Sequence, residues 1–163
     1  MKTKAILLLS FIGLSGLMLS CETEQDKVFL LEDPIKPAFV ELPDLTLSAA
    51  NKADTLVFKC SPVDLGFRTS SNYFVEACGT GLGFTPASNV IRVYFGAQDT
   101  LIKVTEEALN KLFVKKFPAG TPAPIDFRIR AVIVVDAGTG ALGSTANKYE
   151  VISEITTATI STY

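Results

Sequence analysis

Three cysteines are the most reactive side chains in this sequence, and Cys21 has the most distinctive surroundings. It ends the segment LMLSC, which closes an apolar run that follows Lys2 and Lys4. A basic start, a short apolar stretch and a small residue before the cleavage point are typical of a secretory signal peptide. The run is too short and too weakly flanked to be a membrane-spanning helix. Residues 1–20 are therefore predicted to be a signal peptide that ends directly before this cysteine.

The apolar residues, Ser20 and Cys21 together resemble the lipobox of bacterial lipoproteins, in which the cysteine is acylated and becomes the new N-terminus. The resemblance implies that the mature protein, residues 21–163, is a domain tethered to a membrane by acyl chains such as palmitate. One alternative remains open, namely an ordinary signal peptide whose cleavage site happens to lie near a cysteine.

The other two cysteines, Cys60 and Cys78, could form a disulfide, because an exported protein enters an oxidising compartment. Side-chain alternation places Cys60 on the core face of its strand, whereas Cys78 faces away from Tyr73 and Val75. A disulfide would therefore need a bulge or a change of strand. It would close a loop of about 18 residues and contribute ~3 kcal/mol to stability. The disulfide and the two free thiols both remain open.

Four further side chains could bind a charged ligand, namely Arg92, Tyr94, Arg128 and Arg130. Alternation within two predicted strands turns all four away from the core. If those strands are neighbours, the side chains form a small cationic and aromatic patch. Arginine donors and stacking suit a carboxylate, a peptide terminus or the acidic loop of a partner. The alternative is an ordinary solvated strand face.

The sequence contains no histidine and no tryptophan, and both absences argue against a catalytic module. Without histidine, a Ser-His-Asp or Cys-His relay and a His-bearing zinc site cannot be assembled. Without tryptophan, the best stacking platform for sugar rings is missing. Asp64, Glu76 and Asp136 are candidates for a glycosidase pair, but nothing in the sequence brings any two of them together. We therefore expect no enzyme activity, no metal and no cofactor.

Without the predicted signal peptide, the chain has the composition of one mildly acidic domain. The remaining 143 residues carry 13 Lys+Arg against 17 Asp+Glu, which gives a net charge of −4. Without a basic cluster the chain has no electrostatic site for nucleic acid, so nucleic acid is not an expected partner. A chain of this length suits one domain, which buries roughly 68–70% of its unfolded surface.

The first part of the mature chain, residues 21–37, is predicted to be a flexible acidic tether. Pro34 and Pro37 oppose a regular element, because proline lacks an N–H and restricts the residue before it. The tether contains five acidic residues, which are Glu22, Glu24, Asp26, Glu32 and Asp33.

From Phe39 onward the hydrophobic pattern has the period of two that is typical of half-buried strands. The predicted strands are 45–49, 56–60, 73–78, 90–95, 100–104, 125–135 and 148–157. The period changes after Thr105, which can cap a helix that starts with Glu106 and Glu107 and covers a sheet edge or the end of the core. Residues 38–163 are therefore predicted to be all-β, an antiparallel immunoglobulin-like or fibronectin-III-like β-sandwich with one short helix.

The order of these segments is similar to that of a known family. LVFKCSPVDLG at 56–66, TEEALNKL at 105–112 and FRIRAVIVV at 127–135, with a terminal TISTY, resemble the N-terminal domain of SusE/SusF-type outer-membrane lipoproteins. The resemblance implies an immunoglobulin-like domain on the surface of a Bacteroidota cell, beside a SusC/SusD-type nutrient importer. The acidic residues directly after Cys21 also resemble the surface-export signal of such lipoproteins.

From the resemblance we expect a surface-anchored, non-catalytic accessory lipoprotein that binds an importer subunit or captures a glycan or peptide with its loops. No ligand residues are implied for this chain, because the family usually continues into C-terminal sugar-binding domains and this sequence stops at Tyr163. An alternative from another class is a structural adhesin or fimbria-like subunit that polymerises by strand addition.

Overall fold

The computed structural model describes residues 31–67, 70–97, 100–133 and 150–163, which contain two antiparallel β-sheets and one α-helix. The predicted signal peptide, Cys21 and the first part of the predicted tether lie outside the described residues. Within the part of the chain that is described, no helix is long and apolar enough to cross a membrane.

The smaller sheet has three strands in the order β1–β2–β5. These strands are β1 at Ala38–Glu41, β2 at Thr55–Ser61 and β5 at Leu101–Thr105. Both neighbours of β2 run antiparallel to it, with Phe39 opposite Cys60 and Phe58 opposite Ile102. Since these residues alternate with exposed ones, the sheet has one apolar face and one solvated face.

The larger sheet has the order β4–β3–β6, and both β7 and β8 pair with the free side of β6. Its strands are β3 at Ser71–Gly79, β4 at Ile91–Ala97, β6 at Ala123–Ile133, β7 at Glu150–Ile152 and β8 at Thr156–Ile160. β6 is therefore central, as expected for the strand whose final residues are apolar on both faces.

The core lies between the two sheets and is organised around aromatic rings. The ring of Phe127 on β6 lies 6.1 Å from that of Phe58 on β2 and 6.2 Å from that of Phe113 in the helix. All three rings are fully buried and tilted against each other, an arrangement that contributes about 0.5–1.5 kcal/mol per pair beyond the burial of area. The predicted antiparallel β-sandwich with one short helix is confirmed.

The helix α1 spans Glu106–Phe113 and begins where the sequence predicts. The side-chain oxygen of Thr105 accepts a hydrogen bond from the N–H of Ala108 at 3.3 Å, which satisfies one free donor of the first turn. Leu109 and Phe113 are buried against the core, so the helix covers its end beside β4 and β5.

Thr105→Ala should lower the free energy of unfolding by ~1 kcal/mol, because the cap of α1 is lost. Urea unfolding at neutral pH measures the change. Thr105→Ser keeps the accepting hydroxyl, so it should retain most of the stability. An equal loss in both variants would show that the cap is not the cause.

The stretch 45–49 was expected as a strand and is not one. Leu45 and Leu47 are buried, as their alternation predicts, but the only pairing is an isolated parallel bridge between Thr46 and Ser161. The Ser48 side chain accepts a hydrogen bond from Asn51 and caps a short 3₁₀ helix. A regular strand does not form here, because the serine cap provides a local alternative to sheet pairing.

The predicted closing strand 148–157 is divided into β7 and β8, and it continues to Ile160. The division lies at Ser153, whose buried hydroxyl accepts the Ile129 N–H at 2.8 Å and donates to the Glu154 carbonyl at 2.7 Å. The hydroxyl thus replaces a backbone partner of β6 at this point.

Residues 31–37 were expected to be part of the tether, but they are bonded to the domain. The Leu31 N–H donates to the Leu65 carbonyl at 3.0 Å, and Ile35 and Asp64 exchange N–H···O bonds of 2.9 and 3.1 Å. Because these backbone groups find partners in the loop between β2 and β3, this segment packs against the sandwich.

Candidate functional site

The face of the larger sheet that points away from the core carries the charged side chains of interest. On the neighbouring strands β3 and β6, Glu76 lies directly opposite Arg128 and Phe74 lies opposite Arg130. The positions between them, such as Val75 and Ile129, belong to the core. Because side chains alternate along both strands, this register places one carboxylate between two guanidinium groups.

The carboxylate of Glu76 is the centre of this arginine–glutamate cluster. Its Oε2 accepts from Nε and Nη2 of Arg128 at 2.9 and 2.7 Å, and its Oε1 accepts from Nε of Arg130 at 3.2 Å. Nη1 of Arg130 donates in turn to Oε2 of Glu150 at 3.4 Å. Glu76 is only 4% exposed and Arg130 is also buried, so each charge is neutralised inside the protein by the others.

Two phenylalanine rings complete the cluster. The guanidinium of Arg128 lies 4.1 Å from the ring centroid of Phe84, and that of Arg130 lies 4.5 Å from the ring centroid of Phe74. Both contacts are close enough for a cation–π interaction. The two guanidinium groups are therefore bound by carboxylates and covered by ring faces within the fold, so the cluster is a structural element of the sheet.

The predicted patch of Arg92, Tyr94, Arg128 and Arg130 is brought together only in part. Arg92 on β4 lies opposite Glu76, on the other side of β3 from Arg128. Tyr94 lies opposite Val75, because the register between β3 and β4 shifts by one residue after the pair of Glu76 and Arg92. Tyr94 is consequently half-buried against the core and does not share the outward face, as expected where a bulge interrupts alternation.

The two cysteines are free thiols in different sheets. Cys60 of β2 belongs to the core between the sheets, whereas Cys78 of β3 is buried on the outward face opposite Asp126. Burial raises the pKa of Cys60 to about 11. Burial, followed by the nearby charge of Asp126, also raises the pKa of Cys78. Both thiols are therefore held in the protonated, unreactive form at neutral pH.

The two candidate glycosidase carboxylates that the structure describes, Asp64 and Glu76, are bound to different partners. Oδ1 of Asp64 accepts the N–H of Gly66 at 2.8 Å within the loop after β2, whereas both oxygens of Glu76 are bound by arginine. Asp136 lies outside the described residues. Among the residues that are described, no group of three or more Cys, Asp or Glu side chains could hold a metal ion.

Asp126 binds the loop that follows β3. Its Oδ1 accepts from Thr157 at 2.7 Å and from Thr80 at 3.1 Å, and its Oδ2 accepts the Gly81 N–H at 3.3 Å. These bonds stabilise the ionised form and lower the pKa of Asp126, with Thr157 the largest cause and burial opposing it. The carboxylate thus joins β6, β8 and the start of the loop.

The contribution of Asp126 to stability should be lost in acid. Because its folded-state pKa lies below the ordinary value of about 3.9, the stabilisation is complete above that value and falls as the pH drops towards the lowered pKa. Urea unfolding from pH 6 to pH 2 should therefore show a flatter profile for Asp126→Asn than for the unmodified protein.

Two threonine variants of β8 control that experiment. Thr157→Val removes the largest cause of the lowered pKa and should also flatten the acid profile. Thr159→Val makes the same change at an exposed position of the same strand and should leave the profile intact. Equal profiles for both variants would contradict the role of Asp126.

The sequence did not predict that Glu76 is the partner of the two arginines. Glu76 entered only as a candidate catalytic acid, and Phe74 and Phe84 were not singled out. The shared parity of Phe74, Glu76 and Cys78 on β3 was a usable signal, since it places them on one face. Only the pairing register shows that this face meets Arg128.

Comparison with known proteins gives one match. The family model described as SusE outer membrane protein matches residues 23–130, which is about two thirds of the chain. Searches of curated proteins and of solved structures found no significant match. The matched range contains β1 to β5, α1 and most of β6, including all three members of the Glu76, Arg128 and Arg130 contact.

Proposed function

Because this chain belongs to the SusE outer membrane protein family, we propose that it is a surface-anchored accessory lipoprotein of a SusC/SusD-type nutrient importer. It acts by binding an importer subunit or by helping to capture a glycan or peptide. Acyl chains on Cys21 hold it at the membrane, and the sandwich is the part that meets partners. The match over residues 23–130 is the observation that carries this proposal.

The chemistry of the described side chains supports a binding role without catalysis. The buried carboxylate of Glu76 is neutralised by two arginines, which bind both of its oxygens, so it has no free oxygen to act as a base. The thiols of Cys60 and Cys78 are buried, with pKa values that burial raises. A general acid, base or nucleophile needs a group that can reach substrate in its reactive form, and these groups do not offer one.

In this proposal the arginine–glutamate cluster stabilises the sheet and does not bind a ligand. A ligand carboxylate would have to compete with Glu76 for donors that are already bound in a low-dielectric site. Arg130 is buried and only 20% of the Arg128 side chain is exposed. The surface that contacts partners is therefore expected elsewhere on the sandwich.

Co-purification tests the proposed function. The outer membrane is solubilised in mild detergent, each SusC- or SusD-type subunit of the cell is captured through a tag, and the chain is quantified by mass spectrometry. Specific enrichment with one importer, above an unrelated outer-membrane lipoprotein as control, is the expected result. Absence of enrichment with every importer contradicts the proposal, and a ladder of self-polymers would favour a fimbria-like subunit instead.

A further inference from the structure

The loop between β3 and β4 presents an exposed leucine at one end of the sandwich. Leu82 is 61% exposed and lies between Gly81 and Gly83, whose φ angles are +82° and +71°. These left-handed conformations suit glycine because it has no Cβ, and they let the chain turn sharply on both sides of the leucine.

This loop is held in place by bonds from three directions. Asp126 accepts from Thr80 and Gly81 at its start, and the Asn89 side-chain amide donates to the Leu82 carbonyl at 3.2 Å. From the turn after α1, the Lys116 ammonium donates to the Ser88 carbonyl. Leu82 is therefore presented on a preorganised loop, which reduces the entropy lost when a partner binds.

The side chain of Phe117 lies near that of Leu82. A Cβ at Gly79 would lie 3.0 Å from Cδ1 of Leu82 and 3.6 Å from Cε1 of Phe117, so both side chains border the same position. Phe117 is half-buried, and Val114 in the same turn is exposed. We call Leu82, Val114, Phe117 and the adjacent Lys115 and Lys116 the distal patch.

The two segments that build this end have a positive net charge, and the carboxylate of Asp126, which binds the loop, is buried. These segments, 79–90 and 114–124, contain Lys115 and Lys116 and no acidic residue, although the chain after the predicted signal peptide has a net charge of −4. Lys115 and Lys116 are both exposed. A partner with carboxylates around an apolar contact would be complementary to this end.

The distal patch lies far from the point where the chain enters the domain. Leu31 and Ile35 are bonded to the loop before β3, whereas the patch lies at the end of β3. β3 has nine residues, and at ~3.3 Å per residue the two ends of the sandwich are ~30 Å apart. If Cys21 is anchored, the entry end is the one held near the membrane.

We propose that the distal patch is the surface through which this chain docks on an importer subunit, with Leu82 entering an apolar pocket that is rimmed by acidic side chains. The inference rests on the proposed function and names its contact surface. A protein is favoured over a glycan because neither aromatic ring of this end offers a free stacking face. Phe84 is covered by Arg128, and the half-buried Phe117 is stacked on Phe113. The aliphatic side chain of Leu82 gives a sugar ring nothing to stack on.

The test is the co-purification on a tagged importer subunit, performed with the full lipidated chain. The chain itself carries no tag, so that the hydrogen bonds of 2.8 and 2.9 Å between the main chain of Tyr163 and the Asn110 side chain are left as they are. Leu82→Asp should reduce recovery at least about tenfold. Ile155→Asp is the matched control, because Ile155 is 57% exposed and lies between β7 and β8.

A charge reversal gives an independent variant. Lys115→Glu should weaken recovery, and the weakening should be less at high salt because exposed charges are screened. Lys103→Glu changes an exposed lysine of β5 on the smaller sheet and should leave recovery unchanged. Unfolding curves of all four variants should match those of the unmodified chain, since each position is exposed.

Each outcome decides the inference. Loss for Leu82→Asp and Lys115→Glu with retention for both controls supports it. Equal recovery of the unmodified chain and Leu82→Asp overturns the inference and leaves the proposed function standing. If no importer subunit recovers even the unmodified chain, the proposed function fails and the inference with it. Loss of a self-association through Leu82→Asp would instead assign the patch to a second copy and overturn docking on an importer.

Discussion

Replacing Glu76 with alanine is expected to lower the free energy of unfolding by about 3 to 5 kcal/mol, because it leaves Arg128 and Arg130 without their shared carboxylate. Removing one member of a buried ion pair costs far more than the pair contributes, since the remaining charges stay in a low-dielectric site. Urea unfolding at neutral pH measures the change, which is a large fraction of the 5–15 kcal/mol that is typical of native proteins.

Two controls separate this effect from ordinary truncation. Glu154→Ala removes the carboxylate that binds Lys36 at the surface, and it should change the free energy of unfolding far less because both side chains are exposed. Replacing Glu76, Arg128 and Arg130 together by leucine should recover much of the lost stability, since no buried charge of the cluster then stays unpaired and Glu150, which loses Arg130, is exposed to water. A small loss for Glu76→Ala would mean that water or other groups solvate the arginines in the folded protein.

Replacing Cys21 with serine is expected to move nearly all of the chain from the membrane fraction to the soluble fraction. Acyl chains contribute ~0.8 kcal/mol per buried methylene, and two or more chains anchor a protein stably. Serine has no thiol to acylate. Fractionation followed by immunodetection measures the distribution, and intact mass measures the acyl groups directly.

A neighbouring substitution controls for general damage to export. Ser20→Ala keeps a small residue before the cysteine and should stay with the membrane. The free energy of unfolding of the Cys21→Ser chain should equal that of the unmodified domain, because every named element starts at or after Ala38. A Cys21→Ser chain that is exported and still bound to the membrane would contradict the anchor.

Periodicity was sufficient for much of the fold. Alternation of apolar residues predicted most of the strands, and Thr105 followed by Glu106 and Glu107 predicted the start of α1. Both signals are local, because a strand buries every second side chain and a helix needs acceptors for its first N–H groups. The family could also be predicted, since the order of short segments is itself a sequence property.

Individual hydrogen bonds account for the places where the predicted fold was wrong. At 45–49 a serine cap replaced the expected strand, and at Ser153 a hydroxyl divided the closing strand. Residues 31–37 were predicted to be tether because their prolines and acidic residues oppose regular structure. Backbone hydrogen bonds to Asp64 and Leu65 nevertheless join them to the domain. The Ser48 cap is local, whereas the other two changes depend on partners that are distant in sequence.

The sequence by itself determined the fold class and the family, because these depend on periodicity and on segment order. The tertiary structure decided which side chains meet. The register of β3 against β6 placed Glu76 between Arg128 and Arg130, and a shift of one residue would have turned these charges into the core. The register shift beside β4 removed Tyr94 from the outward face. Register depends on pairing between strands far apart in the chain, so composition and local pattern do not encode it.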